Sequence, residues 1–172
     1  MTQILDRRST RKNKPPISSG QMTIDDLDAR LLGVCMSDGR AAFRKMAAML
    51  DTSTTTVIAR HGRLEQEGVI KGYAARVDFE KLGYGLTAVT EILVSKGKLL
   101  EMEREIAKLP GVCAVYDVTG EIDGVVIAKF KDREQLSSFT KGLLAMPFVE
   151  RANTHVVLTT VREDFRLPAR PA

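Results

Sequence analysis

The sequence of 172 residues predicts an α+β protein with a helical first part and a sheet-containing second part. Residues 23–68 repeat apolar side chains at the three- and four-residue spacing of helices. From residue 85 onward, stretches of strand composition alternate with amphipathic helical stretches, and this order occurs twice. The composition, 44% hydrophobic and 28% charged, is that of a chain that folds around a core.

The composition also excludes several classes of protein. No apolar run is long enough to cross a membrane, and the first residues carry Asp6, Arg7 and Arg8 instead of an apolar signal. The two cysteines, Cys35 and Cys113, lie far apart inside apolar patterns, which favours reduced core thiols over a disulfide. We therefore expect a cytoplasmic protein with no membrane partner.

Positive charge is concentrated in the first 22 residues. The net charge of +4 comes from this segment, which has five basic residues and one acid, whereas residues 23–172 sum to zero. The segment also contains Pro15, Pro16 and Gly20 and lacks apolar periodicity, so residues 1–22 are predicted to be a basic disordered tail. The tail is either an arm that follows DNA phosphates or an extension without a role.

The first folded segment, residues 23–68, has the pattern of a helix-turn-helix. Its first helix has a cap at Thr23 and an apolar stripe that includes Leu31 and Val34, and it ends at Asp38-Gly39. A second helix is predicted from Ala42 to Leu50, and a third from a Ser53 cap to Glu67-Gly68. A β-rich stretch, Val69 to Val77, follows within a strand and hinge linker of residues 69–84. This layout is typical of a winged helix-turn-helix.

The third helix is the predicted DNA reader. With Val57, His61 and Leu64 facing inward, its outward side has small and polar residues that allow a close approach to a DNA groove. We interpret His61 as a core histidine with a hydrogen-bond partner. A three-helix packing or protein-interaction module is the alternative. The predicted DNA-binding residues are Thr54, Thr55, Thr56, Ala59, Arg60 and Arg63 of the third helix, together with Lys45 of the second.

The second folded segment, residues 85–172, repeats a strand-helix-strand unit. Strands are predicted at 86–94, 112–119, 125–130 and 148–161, and helices at 98–109 and 133–145. Leu109-Pro110-Gly111-Val112 recurs as Met146-Pro147-Phe148-Val149. Two such units joined by a tight turn give a ferredoxin-like βαββαβ domain with both helices on one face of the sheet. The uncovered face predicts a dimer formed through the sheets.

Several motifs together resemble one known family. Asp38-Gly39-Arg40 and Leu64-Glu65-Gln66-Glu67-Gly68-Val69-Ile70 in the first half are similar to the Lrp/AsnC regulators, the leucine-responsive and feast/famine proteins. Leu82-Gly83-Tyr84-Gly85 and Val118-Thr119-Gly120-Glu121-Ile122-Asp123 resemble that family's regulatory domain, in the same order. The resemblance covers about Thr23 to Val161.

The resemblance implies DNA binding by dimers, assembly into octamers or other higher oligomers, and an amino-acid effector. Carried over by position, the effector site is the turn formed by Thr119, Gly120, Glu121 and Asp123. Carboxylates beside a glycine turn suit the ammonium and carboxylate groups of an amino acid, although a solvated hairpin turn is the alternative. Glu121 replaces the family's usual Asp, and Gly124 stands where an aromatic residue is common.

These observations predict a sequence-specific, effector-responsive transcription regulator that binds double-stranded DNA in the cytoplasm, at the nucleoid. An architectural chromosomal DNA-binding protein of the same fold is the alternative. A decarboxylase-type enzyme that shares the fold is disfavoured, because residues 117–129 contain neither His nor Arg. We expect no enzyme activity, no cofactor and no metal, since the sequence has no catalytic or metal-ligand motif.

Overall fold

The computed structural model describes residues 23–95 and 97–166, and the predicted basic tail, residues 1–22, lies outside these ranges. The described residues divide into two compact units. The first, here called the helical unit, runs to Ala74, and the second, the sheet unit, comprises Ala75–Asp164. The predicted boundaries, at residues 68 and 84, fall on either side of this division.

The helical unit contains three helices, α1 (Asp26–Ser37), α2 (Phe43–Leu50) and α3 (Thr54–Gln66). The N-cap of α1 is Asp25 and not Thr23, because Asp25 and Asp28 form a capping box in which each side chain accepts a backbone N–H of the other. Ser53 caps α3, as predicted. The apolar core between the helices contains Leu31, Val34, Cys35, Met46, Ala47, Leu50, Val57 and Leu64.

The turn between α2 and α3 is three residues long and uses an unusual backbone conformation. Asp51 has φ 52°, in the left-handed region that residues with a side chain seldom adopt. Aspartate tolerates this conformation better than most residues. The turn places the end of α2 directly beside the start of α3, which is the helix-turn-helix arrangement.

No strand follows α3 directly. Residues 67–85 form turns and irregular backbone, so the predicted β-rich stretch from Val69 to Val77 is wrong for this structure. Val69 and Val77 are exposed by 40% and 45%. A strand needs a partner for its backbone N–H and C=O groups, and the local sequence pattern that favoured a strand here does not supply one.

The sheet unit contains, in chain order, β1 (Leu86–Val94), α4 (Leu99–Ile106), β2 (Val112–Asp117), β3 (Gly124–Phe130), α5 (Arg133–Leu144) and β4 (Val149–Val156). The strands are antiparallel in the order β2-β3-β1-β4. This βαββαβ topology confirms the predicted ferredoxin-like fold and α+β class. The last strand is five residues shorter at its end than predicted, and Leu158 and Val161 are almost fully exposed.

One face of the sheet packs against α4 and α5. Buried residues of β1 and β3 alternate with half-buried ones, so every second side chain enters the core. Gly111, with φ +83°, directly precedes β2, at a point where a Cβ would lie 2.5 Å from the Lys129 carbonyl oxygen. Cys113 is exposed beside a bulge in β2, so its interpretation as a core thiol is wrong, whereas Cys35 is buried.

The other face of the sheet has no covering element within the sheet unit. Its half-buried side chains from the two central strands include Val89, Leu93, Val125 and Ile127. Over the described ranges, no helix combines the length and apolarity that a bilayer crossing requires.

Candidate nucleic-acid interface and effector turn

The outward face of α3 is a continuous stripe of small, threonine and apolar side chains. Thr55, Ala59 and Gln66 are exposed, and Ile58 is 50% exposed. Val57, His61 and Leu64 are buried on the opposite side. The helical wheel drawn from the sequence therefore describes the orientation of α3 correctly, and Ile58 also faces outward. The contacts with DNA themselves stay a prediction.

The two arginines of α3 bind a buried carboxylate of α1. Arg60 Nη1 donates to Asp28 Oδ1 at 2.9 Å and also to Asp25 Oδ2, and Arg63 Nη2 donates to Asp28 Oδ2. Asp28 is fully buried, whereas the side chains of Arg60 and Arg63 are 29% and 45% exposed. We call these residues, Asp25, Asp28, Arg60 and Arg63, the Asp28 cluster.

Hydrogen bonds and charges within the Asp28 cluster shift the pKa values of Asp25 and Arg60. The hydrogen bond from Arg60, followed by that from the Asp28 backbone N–H, holds the pKa of Asp25 below its usual value. Hydrogen bonds to Asp25 and Asp28 raise the pKa of Arg60. Both groups are therefore charged across the neutral range, and α3 is joined to the start of α1 by charge-assisted hydrogen bonds.

These ion pairs decide how the arginines can act on DNA. A bidentate arginine–guanine contact discriminates by about 1–3 kcal/mol. Leaving a buried carboxylate without its cation costs about 3–5 kcal/mol. Turning both Arg60 and Arg63 away from Asp28 to read guanine is thus unfavourable, and turning either one away gives up one of the two cations on Asp28. The apolar periodicity of α1 does not reveal this cluster. The available signal was Asp28, an acid three residues before Leu31 on the same helix face.

The other predicted DNA-binding residues lie near the start of α3 and on α2. Thr54 is the first residue of α3 and Thr55 is exposed. Thr56 Oγ1 lies 2.8 Å from Ser53 Oγ, whose oxygen also accepts the Thr56 N–H. Lys45 Nζ donates to Asp38 Oδ2 at 3.2 Å while its side chain remains 62% exposed. Thr55 is thus open to solvent at the start of α3, and so is most of the Lys45 side chain on α2.

His61 is a core histidine with a partner, as interpreted from the sequence. Its Nε2 lies 2.6 Å from the Tyr73 hydroxyl, and its ring packs edge-on against Phe43 at a centroid distance of 5.0 Å. Burial raises the pKa of Tyr73 to about 12, and the Tyr73 hydroxyl also bonds to the Cys35 thiol, whose pKa is raised by burial. These contacts attach the segment after α3 to the helical unit.

The predicted effector turn joins β2 to β3. Thr119, Gly120 and Glu121 are exposed, and Gly120 has φ +129°. Asp123 differs from them, because its carboxylate accepts the Val94 N–H at 2.8 Å and its own N–H donates to the Ile92 carbonyl at 2.9 Å. Asp123 therefore attaches the turn to the end of β1, and the exposed positions are those open to a ligand.

A hollow of about 270 Å³ lies beside this turn on the open face of the sheet. Ile122 of the turn contributes to its wall, along with charged, amide and apolar side chains from β1 and β4: Glu91, Leu93, Arg151, Ala152 and Asn153. Glu91 Oε2 lies 3.4 Å from Asn153 Nδ2 and 3.7 Å from His155 Nε2. A carboxylate and a guanidinium on the wall of one hollow match the two charges of a free amino acid.

No group of three or more His, Cys, Asp or Glu side chains within residues 23–95 and 97–166 could hold a metal ion. The contacts described above offer recognition by hydrogen bonds, charge and apolar contact.

Comparison with known proteins gives two matching family models. Residues 24–65 match the AsnC-type helix-turn-helix domain, and residues 87–167 match the Lrp/AsnC ligand-binding domain. An uncharacterized HTH-type transcriptional regulator of Pyrococcus abyssi is 46% identical over 84% of this chain and 98% of its own length. The HTH-type transcriptional regulator FL11 of Pyrococcus horikoshii is 32% identical over 87% of this chain and 99% of its length.

Two solved structures show the same architecture. A transcriptional regulator of Neisseria meningitidis in complex with L-methionine superposes with a TM-score of 0.78, at 28% identity, and covers 85% of this chain and 97% of its own. A feast or famine regulatory protein of M. tuberculosis complexed with L-methionine has a TM-score of 0.76, at 26% identity, and covers 85% of this chain and 99% of its own. Both the sequence and the fold of the two units are thus shared with these proteins.

Proposed function

This chain belongs to the Lrp/AsnC family of transcription regulators, and from that premise we propose that it binds specific DNA sequences through α3 and responds to an amino acid bound beside the β2–β3 turn. The matching domains and the names of its relatives are those of regulators, so the chain is a transcription regulator and not an enzyme. Its place of action is the DNA of the cytoplasm, at the nucleoid.

The observation that carries the DNA-binding proposal is the outward stripe of α3. Thr55, Ala59 and Gly62 project little from the helix, so its axis can come close to base edges in a major groove. The Asp28 cluster leaves the remaining N–H groups of Arg60 and Arg63 for phosphate oxygens, and Lys45 has two N–H groups beyond its bond to Asp38. Phosphate contacts fix the register, and the stripe reads the bases.

Footprinting on genomic fragments tests this proposal against the architectural alternative. A few protected sites with half-sites one helical turn apart are expected of a dimeric sequence-specific regulator. Uniform coverage at the same protein concentration would indicate an architectural protein. The logarithm of the affinity should fall linearly with the logarithm of salt concentration in either case, because phosphate contacts release counterions.

We further propose that two chains associate through the open faces of their sheets, and that such dimers assemble into larger oligomers. The supporting observation is the apolar patch of Val89, Val125 and Ile127, which has no cover within the sheet unit. An Ile127→Glu variant should sediment as a monomer, with Thr160→Glu, at an exposed site outside the sheet, as the control. An Ile127→Glu variant that keeps the oligomer size of the unmodified protein would contradict this interface.

The effector proposal rests on the hollow beside the turn. We assign Glu91 to the ammonium group of the amino acid, Arg151 to its carboxylate, and Leu93 and Ile122 to an apolar side chain. The exposed turn residues, Thr119, Gly120 and Glu121, directly precede Ile122 in the chain and are the predicted surroundings of the ligand. Asp123 holds the turn against the end of β1, because its carboxylate accepts the Val94 N–H.

Thermal-shift screening of the twenty proteinogenic amino acids tests this assignment. A ligand that binds only the folded protein raises the melting temperature by mass action. At a ligand concentration of one hundred times Kd, the free energy of unfolding increases by about 2.7 kcal/mol. Arg151→Gln should abolish the shift. Arg104→Gln, an exposed arginine of α4, is the matched control and should retain it. A flat response of the unmodified protein to all twenty would remove the effector from the proposal.

A further inference from the structure

We propose that Ile58 recognises thymine methyl groups in the major groove, so that thymines, and not guanines, define the preferred DNA sites of this protein. This inference rests on the proposed function, in which α3 enters the groove. It goes further because it assigns the apolar part of base recognition to one residue and states which base that residue selects.

The exposure of Ile58 is anomalous within α3. The other large aliphatic side chains of the helix, Val57 and Leu64, are 1% and 0% exposed, whereas Ile58 is 50% exposed in the middle of the helix. An isoleucine placed in water gains free energy when an apolar surface covers it. The T·A pair is the one that presents an apolar group, the thymine C5-methyl, in the major groove.

The neighbours of Ile58 point to the same base. Ala59 lies beside it and Gly62 one turn later, and a Cβ built on Gly62 would meet no atom within 4 Å. This part of α3 therefore forms a shallow surface from which only the isoleucine projects. The isoleucine is flanked by Thr55 one turn earlier, and threonine can contact either a base edge or a thymine methyl.

The Asp28 cluster removes the competing mode of recognition. The guanidinium groups that could have paired with guanine are bound to carboxylates of α1, and Asp28 itself is inaccessible. No other cation lies among residues 54–66. The reading surface thus lacks a free side chain that donates strongly to guanine, and its outstanding feature is apolar.

The test uses DNA in which thymine is replaced by deoxyuridine, which removes the methyl group and leaves base pairing unchanged. A preferred site is first obtained by selection from random duplexes, and each thymine is then replaced in turn. We expect about a fourfold loss of affinity of the unmodified protein at the contacted positions, the change that corresponds to one buried CH₂ or CH₃ group at about 0.8 kcal/mol.

The variant Ile58→Ala should bind the thymine site more weakly and should not distinguish thymine from deoxyuridine. Because Ile58 is half exposed and in no core cluster, the variant is expected to fold, which its melting curve verifies. Val69→Ala is the matched control, since Val69 is an exposed aliphatic residue of the same unit outside α3. It should keep the full sensitivity to deoxyuridine.

The outcomes separate this inference from the function on which it rests. Equal affinity of the unmodified protein for thymine and deoxyuridine sites would overturn the role of Ile58 while DNA binding stands. An Ile58→Ala variant that loses affinity but still distinguishes the two bases would assign Ile58 to a subunit contact or to packing, which also overturns it. Failure of the unmodified protein to select any duplex would reject the DNA-binding proposal itself.

Discussion

The interiors of the two units contain different types of side chain. In the helical unit a carboxylate, Asp28, and an imidazole, His61, are buried among the helices. Among the described residues of the sheet unit, Thr90 is the buried polar one, and its hydroxyl lies 3.0 Å from that of Thr154 on the neighbouring strand. The helical unit is thus held together partly by charge, and the sheet unit almost wholly by apolar packing.

This difference shows that the helical unit restricts the orientation of its helices more strictly than the sheet unit restricts its elements. Apolar cores tolerate small shifts of their elements, because dispersion and burial depend weakly on direction. A bidentate set of ion pairs on a buried carboxylate has one favourable geometry, and a wrong rotation of α3 would leave Asp28 uncompensated. The side of α3 that we propose faces DNA is therefore set in part by the charges on its other side.

The largest expected effect concerns the apolar interior. Leu143→Ala should destabilise the sheet unit by about 2–5 kcal/mol, because Leu143 is fully buried in its core. The loss should be the same at pH 3 and pH 7, since no charge is involved. Chemical denaturation at the two pH values measures it, and a loss that depended strongly on pH would break the contrast between the units.

The charged interior should respond next. Arg60→Ala is expected to destabilise the helical unit by about 2–3 kcal/mol at pH 7, less than for a fully buried pair because the Arg60 side chain is 29% exposed. Arg60→Lys should restore little, because one ammonium group cannot reproduce the fork that spans Asp25 and Asp28.

The pH dependence of the Arg60→Ala cost sharpens the same comparison. The pKa of Asp25 is lowered in the folded state from a value of 3.8, so its contribution is fully present above that pH and is lost as the pH falls through the folded-state pKa. The difference between the unmodified protein and the variant should shrink below about pH 4. An equal difference at pH 7 and pH 3 would mean that the ion pairs contribute no net stability.

Tyr73→Phe should cost about 1 kcal/mol of helical-unit stability through the lost hydrogen bond to His61. It also has a signature at alkaline pH. Burial raises the pKa of Tyr73 from 10.0 to about 12, so its contribution is present below pH 10 and is lost between pH 10 and pH 12. Melting temperatures recorded from pH 9 to pH 12 should fall less steeply in the variant, and parallel curves would contradict this assignment.

The smallest effects come from one glycine in each unit. Gly142 of α5 and Gly62 of α3 are helical, and a Cβ on either would meet nothing within 4 Å. Replacing each by Ala should therefore stabilise the protein by about 0.5–1 kcal/mol. Only Gly62→Ala should also weaken DNA binding, because its methyl group lies on the reading stripe. Equal DNA affinities of the two variants would place Gly62 away from the groove.

The apolar periodicity of the sequence was sufficient to predict all three helices of the helical unit and the βαββαβ order of the sheet unit. It failed for Val69–Val77 and for the end of β4, where a strand depends on having a partner and not on composition. The Asp28 cluster could not be read from one helix at a time, because Asp28 and its arginines are 32 and 35 residues apart. The same limit applies to Asp123, whose carboxylate is engaged by Val94, 29 residues away.

The Asp28 cluster also bears on how such a regulator can acquire new target genes. Every side chain that fixes the pose of α3 is on its inner half, so substitutions at positions 55, 58, 59 and 62 leave that pose and the fold unchanged. A duplicated regulator gene could then come to recognise different operators through substitutions at these four outward positions, without an intermediate of low stability. Arg60, which binds both Asp25 and Asp28, is a residue whose replacement would disturb that pose.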